Sequence, residues 1–217
     1  MALLTATARS ALAGRVREIG GWAVIALALL AGVMRYVGLQ QAPPGFYNDE
    51  AVISVEAISL SQTGHDTFGR RELFTDSGGG GHTSPTHLFP KALWVKFTGY
   101  SIYALRAYAA TEGVVLLAGV YFLARLFLTR RGAWFAVLAA GFSPWLFQFS
   151  RMANDDPMGS LCGVFWGLYF FFRSARLLDA VGAALCFVVA VYAYASAEVV
   201  LPALFLLMLL TKRARHR

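Results

Sequence analysis

The chain has 217 residues, of which 58% are hydrophobic and 14% are charged, and its formal net charge is +7 at pH 7. Soluble domains are about half apolar and about a quarter charged, so this composition excludes that class and predicts an integral membrane protein. The basic residues form short clusters at the ends of apolar segments, a pattern that sets membrane topology and argues against nucleic-acid binding. Cys162 and Cys186 both lie within apolar runs and offer neither a disulfide framework nor a metal framework.

The N-terminal region predicts an uncleaved first membrane helix. Residues 1–21 carry three arginines and are expected to stay in the cytoplasm, and the first span should cover about residues 22–39. Arg35 falls near the outer end of that span. It is either an interfacial anchor or a cation placed to receive a lipid phosphate.

The first external loop, residues 40–103, contains the polar stretch to which we assign the chemistry. A helix is predicted over 49–63, with Asn48 as its N-cap and Gly64 as its stop. Asp49 and Glu50 would then lie in the first turn, directly after the interfacial aromatic residue Tyr47. We take both carboxylates as catalytic candidates and Tyr47 as a substrate contact. The alternative is that the two acids only complement the helix dipole.

A second short helix should open at Ser84-Pro85, lie along the outer surface and end at Gly99. Pro90 predicts a kink or a start one turn later. His87 and Lys91 share one stripe of this helix. They form either a cationic pair for an anionic lipid headgroup or an ordinary solvated face.

Five more apolar spans follow the external loop, and every basic cluster between them falls on the cytoplasmic side. Arg106 lies near the outer end of the second span, whereas Arg151, Asp155 and Asp156 lie in a second external loop. The predicted fold is therefore an all-α polytopic membrane protein with about six transmembrane helices and two short outer-surface helices. Residues 22–211 form one module, and residues 212–217 form a basic cytoplasmic tail. The five spans are predicted at about 104–128, 132–149, 157–172, 178–194 and 199–210.

An ordered series of short motifs covers most of residues 30 to 205. Their order along the chain is far more specific than any single motif. The motifs are Arg35, Pro-Gly-Phe-Tyr-Asn-Asp-Glu-Ala at 44–51, Ser84-Pro85, Ala104-Leu105-Arg106, Ser143-Pro144-Trp145, Gln-Phe-Ser-Arg-Met-Ala at 148–153 and Tyr192-Ala193-Tyr194.

This series resembles the N-terminal part of the polyprenyl-phosphate-dependent membrane glycosyltransferases of the C-type fold, which include protein O-mannosyltransferases and lipid A aminoarabinose transferase. The resemblance implies that Asp49 is the first-loop catalytic acid and Asp156 the second-loop acid, with Asp155 as a close rival. It also implies a sugar donor on dolichyl or undecaprenyl phosphate. Some relatives have a lysine where this chain has Ser84. The phosphate cation would therefore be Lys91, Arg106 or Arg151.

The expected reaction moves a sugar from such a donor to an acceptor hydroxyl of a lipid, glycan or protein, at the outer face of a bacterial inner (plasma) membrane. Asp49 suits the general base, because the hydroxyl must lose its proton as it attacks the anomeric carbon. A divalent metal, Mg²⁺ or Mn²⁺, bridging Asp49, Asp156 and phosphate oxygens is the alternative to stabilisation by cations. The competing functions are a non-catalytic lipid-binding or scaffold subunit and, less favoured, a transporter subunit.

Overall fold

A computed structural model describes residues 21–71, 84–154, 156–174 and 176–215, without the side chains of Asp156 and of residues 208–215. Over these ranges the chain forms nine helices and no strand, so the prediction of an all-α fold is confirmed. The helices are α1 (Gly21–Met34), α2 (Asn48–Thr63), α3 (Pro85–Thr98), α4 (Ile102–Phe127), α5 (Arg130–Gly141), α6 (Pro144–Phe149), α7 (Asp156–Arg173), α8 (Leu177–Ala193) and α9 (Ser196–Arg215).

Among the described residues, only α4 is both long and apolar enough to cross a membrane. The helix α1, the helix α8 and the segment Ser196–Leu207 of α9 are apolar but shorter. The prediction of about six spans is therefore not confirmed by helix length.

The helix α4 is the scaffold of the bundle, since it packs against both α5 and α7, and α7 in turn packs against α8. Small residues permit the closest of these approaches, as is common where apolar helices pack tightly. A Cβ added at Gly163 of α7 would lie 2.5 Å from the carbonyl oxygen of Cys186 in α8. The main buried apolar cluster joins four helices, and its members are Ala28, Leu116, Leu117, Val120, Val137 and Met158.

The first apolar helix ends at Met34, five residues before the predicted end of the span at 39. Arg151 supplies the reason: its Nη1 donates to the carbonyl oxygens of Met34 and Arg35, at 2.7 and 3.3 Å. These carbonyls are satisfied without a continuing helix. Arg35 therefore lies just after the helix and not within it.

The predicted third span, residues 132–149, is divided into α5 and α6. The break falls at Ser143, which has the extended angles φ −59° and ψ 121°. Pro144 follows as the first residue of α6, where its missing N–H is not needed, and it cannot continue α5. The single unbroken span predicted here is wrong.

The two outer helices, α2 and α3, agree with the sequence prediction with small corrections. Tyr47, not Asn48, is the N-cap of α2, and Gly64 ends this helix in the left-handed conformation at φ 73°. The helix α3 starts at Pro85 and runs through Pro90, so the predicted later start is wrong.

The helix α3 turns its polar side chains inward, whereas one prediction placed them on a solvated face. His87 and Lys91 are 1% and 0% exposed, whereas Leu93 and Phe97 are 59% and 81% exposed. The polar stripe therefore faces the protein together with Ala92 and Val95, whereas Leu93 and Phe97 face outward. The interpretation of His87 and Lys91 as an ordinary solvated face is wrong.

We expect Gly159→Ala to lower the free energy of unfolding by about 1–3 kcal/mol, because the new Cβ would lie 1.6 Å from Cε1 of the buried His87. The matched control is Gly32→Ala, whose Cβ would meet nothing closer than 3.9 Å. This change should stabilise α1 by about 0.5–1 kcal/mol. Thermal unfolding in detergent measures both, and equal melting temperatures for the two variants would contradict the packing of His87 against α7.

Candidate active site

The Glu50 side chain is the centre of a buried polar cluster at the start of α2. It is 0% exposed, and its Oε2 accepts a hydrogen bond from the backbone N–H of Tyr47 at 3.0 Å. Its Oε1 accepts one from the backbone N–H of Ala153 at 2.6 Å. The pattern arises locally, because a glutamate at the third helical position reaches back to the N-cap. Glu50 thus joins the start of α2 to the segment that precedes α7.

Arg106 completes this arrangement from the first turn of α4. Its Nε and Nη2 donate to the two carboxylate oxygens of Glu50, each at 3.0 Å. A guanidinium has five N–H donors, and all five are engaged here. The other three bonds go to backbone carbonyl oxygens of the connection between α1 and α2, at 2.8 Å to Leu39, 3.0 Å to Pro43 and 2.6 Å to Gly45.

Arg151 and Arg35 both approach one aromatic ring. The guanidinium carbon of each is 5.4 Å from the ring centroid of Phe147. Arg151 also donates to the carbonyl oxygen of Ala42 at 3.0 Å. Burial, together with the positive charge of Arg106, lowers the pKa of Arg151 below its usual value. Arg35 fits against α4 because Gly113 has no side chain, and a Cβ there would lie 3.1 Å from its Nε.

Lys91 and His87 bring α3 into the same cluster. The Lys91 ammonium donates to the carbonyl oxygen of Ala153 at 2.5 Å, so both backbone groups of Ala153 are held. His87 Nδ1 lies 3.1 Å from Oε1 of Glu112 in α4. The structure therefore brings Lys91, Arg106 and Glu50 around one short segment.

Asp49 differs from its neighbour in the chain. Its side chain is exposed, and no hydrogen bond or ion pair joins it to another residue in the described part of the chain. Tyr47 is also exposed, at 57%. Asp155 and the side chain of Asp156 lie outside the description, so the predicted second-loop acid has no geometry here. The catalytic and substrate-binding roles of all these residues stay predictions.

The sequence reasoning missed two carboxylates. Glu112 lies within an apolar helix. An ionisable residue in such a helix usually pairs with another polar side chain, and here that side chain is His87. Glu56 is buried and accepts hydrogen bonds from the backbone N–H and the hydroxyl of Thr67, which fixes the turn after α2. No pattern in the sequence predicted the contact between Glu56 and Thr67.

The described residues contain no group of three or more His, Cys, Asp or Glu side chains arranged to hold a metal ion. Glu50 does not suit a metal ligand, because both of its oxygens already accept hydrogen bonds from Arg106 and the backbone. Asp49 does have an exposed carboxylate that hard cations favour. The predicted partner ligand, Asp156, has no described side chain, so metal dependence stays a prediction.

Arg106→Gln should lower the free energy of unfolding by about 3–5 kcal/mol, since it leaves the buried Glu50 carboxylate without its counter-charge. Asp66→Asn is the control for the loss of one outer ion pair, because the Arg70–Asp66 pair is partly exposed. Exposed pairs contribute at most about 1 kcal/mol. Denaturant unfolding in mild detergent compares the two, and a loss of less than 1 kcal/mol for Arg106→Gln would contradict a structural role for the pair.

Sequence comparison assigns residues 82–217 to a family. No curated protein and no solved structure matches the chain. Residues 82–217 match the sequence model of the family described as dolichyl-phosphate-mannose-protein mannosyltransferase, and the match includes Lys91, Arg106, Glu112 and Arg151. Because that match covers more than half of the chain, the protein belongs to the dolichyl-phosphate-mannose-protein mannosyltransferase family, whose activity in general is membrane glycosyl transfer.

Proposed function

We propose that this protein transfers a sugar from a polyprenyl-phosphate donor to an acceptor hydroxyl at the outer face of a bacterial inner membrane, with Asp49 as the general base. In this proposal residues 22–211 form one multi-pass module between a cytoplasmic N-terminus and a cytoplasmic tail. The outer helices α2 and α3 cover its external end. The family supports glycosyl transfer in general, and the donor lipid, the acceptor and the base are our inference.

One observation carries the proposal: adjacent carboxylates at the start of α2 have opposite environments. Glu50 is fully buried and hydrogen-bonded to Arg106, whereas Asp49 is exposed. The Glu50 contacts hold the first turn of α2 in place. Asp49 is therefore carried on a fixed backbone, while its own carboxylate stays available to a substrate. A rigid support of this kind favours catalysis, because a general base must be held within hydrogen-bond reach of the proton it removes.

The proposed chemistry is a direct displacement. Asp49 accepts the proton of the acceptor hydroxyl as its oxygen forms a bond to the anomeric carbon. The bond between that carbon and the phosphate oxygen breaks, and the lipid phosphate leaves with the electron pair. The protonated Asp49 then returns its proton to solvent.

The cluster beside Asp49 is electropositive, which suits a phosphate leaving group. The described side chains of the cluster include four buried cations. They include only two carboxylates, those of Glu50 and Glu112. Fixed cations in a partly dry site stabilise a developing phosphate anion without reorganising. We assign this electrostatic effect to the cluster as a whole. Its cations are Arg35, Lys91, Arg106 and Arg151.

A non-catalytic lipid-binding subunit is the second candidate, and one observation favours it. All five donors of Arg106 are engaged by the protein, and Arg151 donates to three backbone carbonyls. These two predicted phosphate ligands therefore act mainly on the fold. A non-catalytic lipid-binding or scaffold subunit would need these arginines for its fold and would show no turnover.

We expect Asp49→Asn to reduce glycosyl transfer by roughly 10²–10⁴-fold while the protein stays folded and still binds donor. The substitution keeps the size of the side chain and removes its basicity, and the exposed position makes a large loss of stability unexpected. The matched control is Asp66→Asn, which makes the same chemical change in the loop after α2. Transfer is measured with labelled polyprenyl-phosphate sugar, and donor binding is measured in parallel. Near-normal transfer by Asp49→Asn would refute the base assignment, and donor binding without turnover by the unchanged chain would favour the second candidate.

The topology is tested with single cysteines in a chain whose Cys162 and Cys186 are replaced by alanine. We expect Thr63→Cys, at the end of α2, to react with a membrane-impermeant maleimide added from outside. Arg130→Cys, at the start of α5, should not react until the cells are opened. Both positions are exposed in the structure, so a difference reports the side of the membrane. The opposite pattern would contradict an outward-facing Asp49.

A further inference from the structure

A second polar site lies at the end of the bundle away from Glu50. The helix α4 has 26 residues, which corresponds to about 39 Å at about 1.5 Å per residue, and α5 begins just after it. Between the starts of α1 and α5 is a cavity of about 240 Å³. Its lining includes Gly21, Trp22, Ile25, Arg130, Arg131 and Trp134.

We propose that this cavity binds the headgroup of an anionic phospholipid, and that an acyl chain of the same lipid occupies the adjoining groove. The proposal rests on the membrane placement given under the proposed function, and it concerns the leaflet opposite the Asp49 site. It does not involve the sugar donor or the transfer reaction.

The charge of the cavity carries the first step. Arg130 and Arg131 are the first two residues of α5, where the helix dipole disfavours cations. An anion bound between them would be stabilised by both guanidinium groups and by the N-terminal end of the helix. Arg131 also leans towards α1, since a Cβ at Gly21 would lie 3.7 Å from its Nε. The two arginines thus close one end of an otherwise apolar cavity.

Trp134 carries the second step. Its indole nitrogen is buried and has no hydrogen-bond partner among the described residues. It stands one helical turn after Arg130, about 6 Å further along the axis. The nitrogen is closed off in the structure, so the ring must turn before its N–H can bond to an ester carbonyl of a phospholipid, a few bonds from the phosphate. Inorganic phosphate has no such second acceptor.

The apolar groove completes the match to a lipid. A second cavity of about 490 Å³ lies between α1, α4 and α5, and Trp134 lines both cavities. Its lining is almost entirely hydrophobic, with Ala28, Leu117, Phe122 and Val137 among its residues. A chain that starts beside the arginines and runs along this groove would pass Trp134. This order of charge, hydrogen-bond donor and apolar surface is the order of groups in a phospholipid.

The test uses the full chain in detergent with equal amounts of phosphatidylglycerol and phosphatidylcholine, with lipid retention read by native mass spectrometry. The unchanged chain should retain phosphatidylglycerol preferentially. The double variant Arg130→Gln with Arg131→Gln should bind it roughly thirtyfold less tightly, the effect of two arginines near an anionic surface. Equal retention of the two lipids by the unchanged chain would overturn the proposal.

The matched control removes the same charge from other basic positions predicted on that side: Arg125→Gln with Arg176→Gln. Neither residue lines the cavity, so retention should stay unchanged, and an equal loss would reduce the effect to overall charge. Trp134→Phe should weaken retention severalfold at constant charge, which tests the site even where the arginine variant folds poorly. The double variant Arg130→Lys with Arg131→Lys should keep most of the retention, because both positive charges remain.

Two further measurements distinguish a lipid site from a plain anion site and from the proposed transfer site. Excess inorganic phosphate should not displace the lipid, and displacement would show a plain anion site and refute the lipid assignment. The assay contains no sugar donor, so Asp49→Asn should retain phosphatidylglycerol normally. A failure of the proposed transfer activity would therefore leave this result unaltered, and loss of the lipid in Asp49→Asn would contradict the separation of the two sites.

Discussion

The buried ion pair between Glu50 and Arg106 is the contact on which the α2–α3 end of the protein depends. Each carboxylate oxygen of Glu50 accepts one N–H of Arg106 and one backbone N–H, and the remaining donors of Arg106 bond to backbone carbonyl oxygens. A buried charge pair offsets its desolvation only when its hydrogen bonds are complete, as they are here. The pair joins the connection after α1, the start of α2, the start of α4 and the segment before α7.

Much of the helical layout could be predicted, because apolar runs, proline and glycine act locally. Gly64 and Gly99 end their helices as expected, and Ser84-Pro85 opens α3. The break at Ser143 also has a local signal, Pro144, which the prediction of one unbroken span did not use. The end of α1 at Met34 has no local signal, because it depends on Arg151, which is more than a hundred residues away in the sequence.

Most residues of the polar site could be predicted from the sequence, but which of them are buried in structural contacts and which are exposed could not. Asp49 and Glu50 both stand in the first turn of one helix and were both catalytic candidates, although the family resemblance favoured Asp49 as the base. The burial of Glu50 could not be predicted, because the groups that reach it, Arg106 and the Ala153 N–H, are distant in the sequence. Likewise, the sequence left Lys91 and His87 as either a cationic pair for a lipid headgroup or a solvated face, and the structure turns both inward.

The inward polar stripe of α3 has a consequence for how the protein is assembled. The acceptor of the Lys91 ammonium is the carbonyl of Ala153, which is synthesised 62 residues later. Until that segment emerges, α3 exposes a lysine and a histidine that the finished protein buries. The outer layer therefore closes late, through contacts of long sequence separation that form slowly. Synthesis halted between α4 and α7 would leave this layer open.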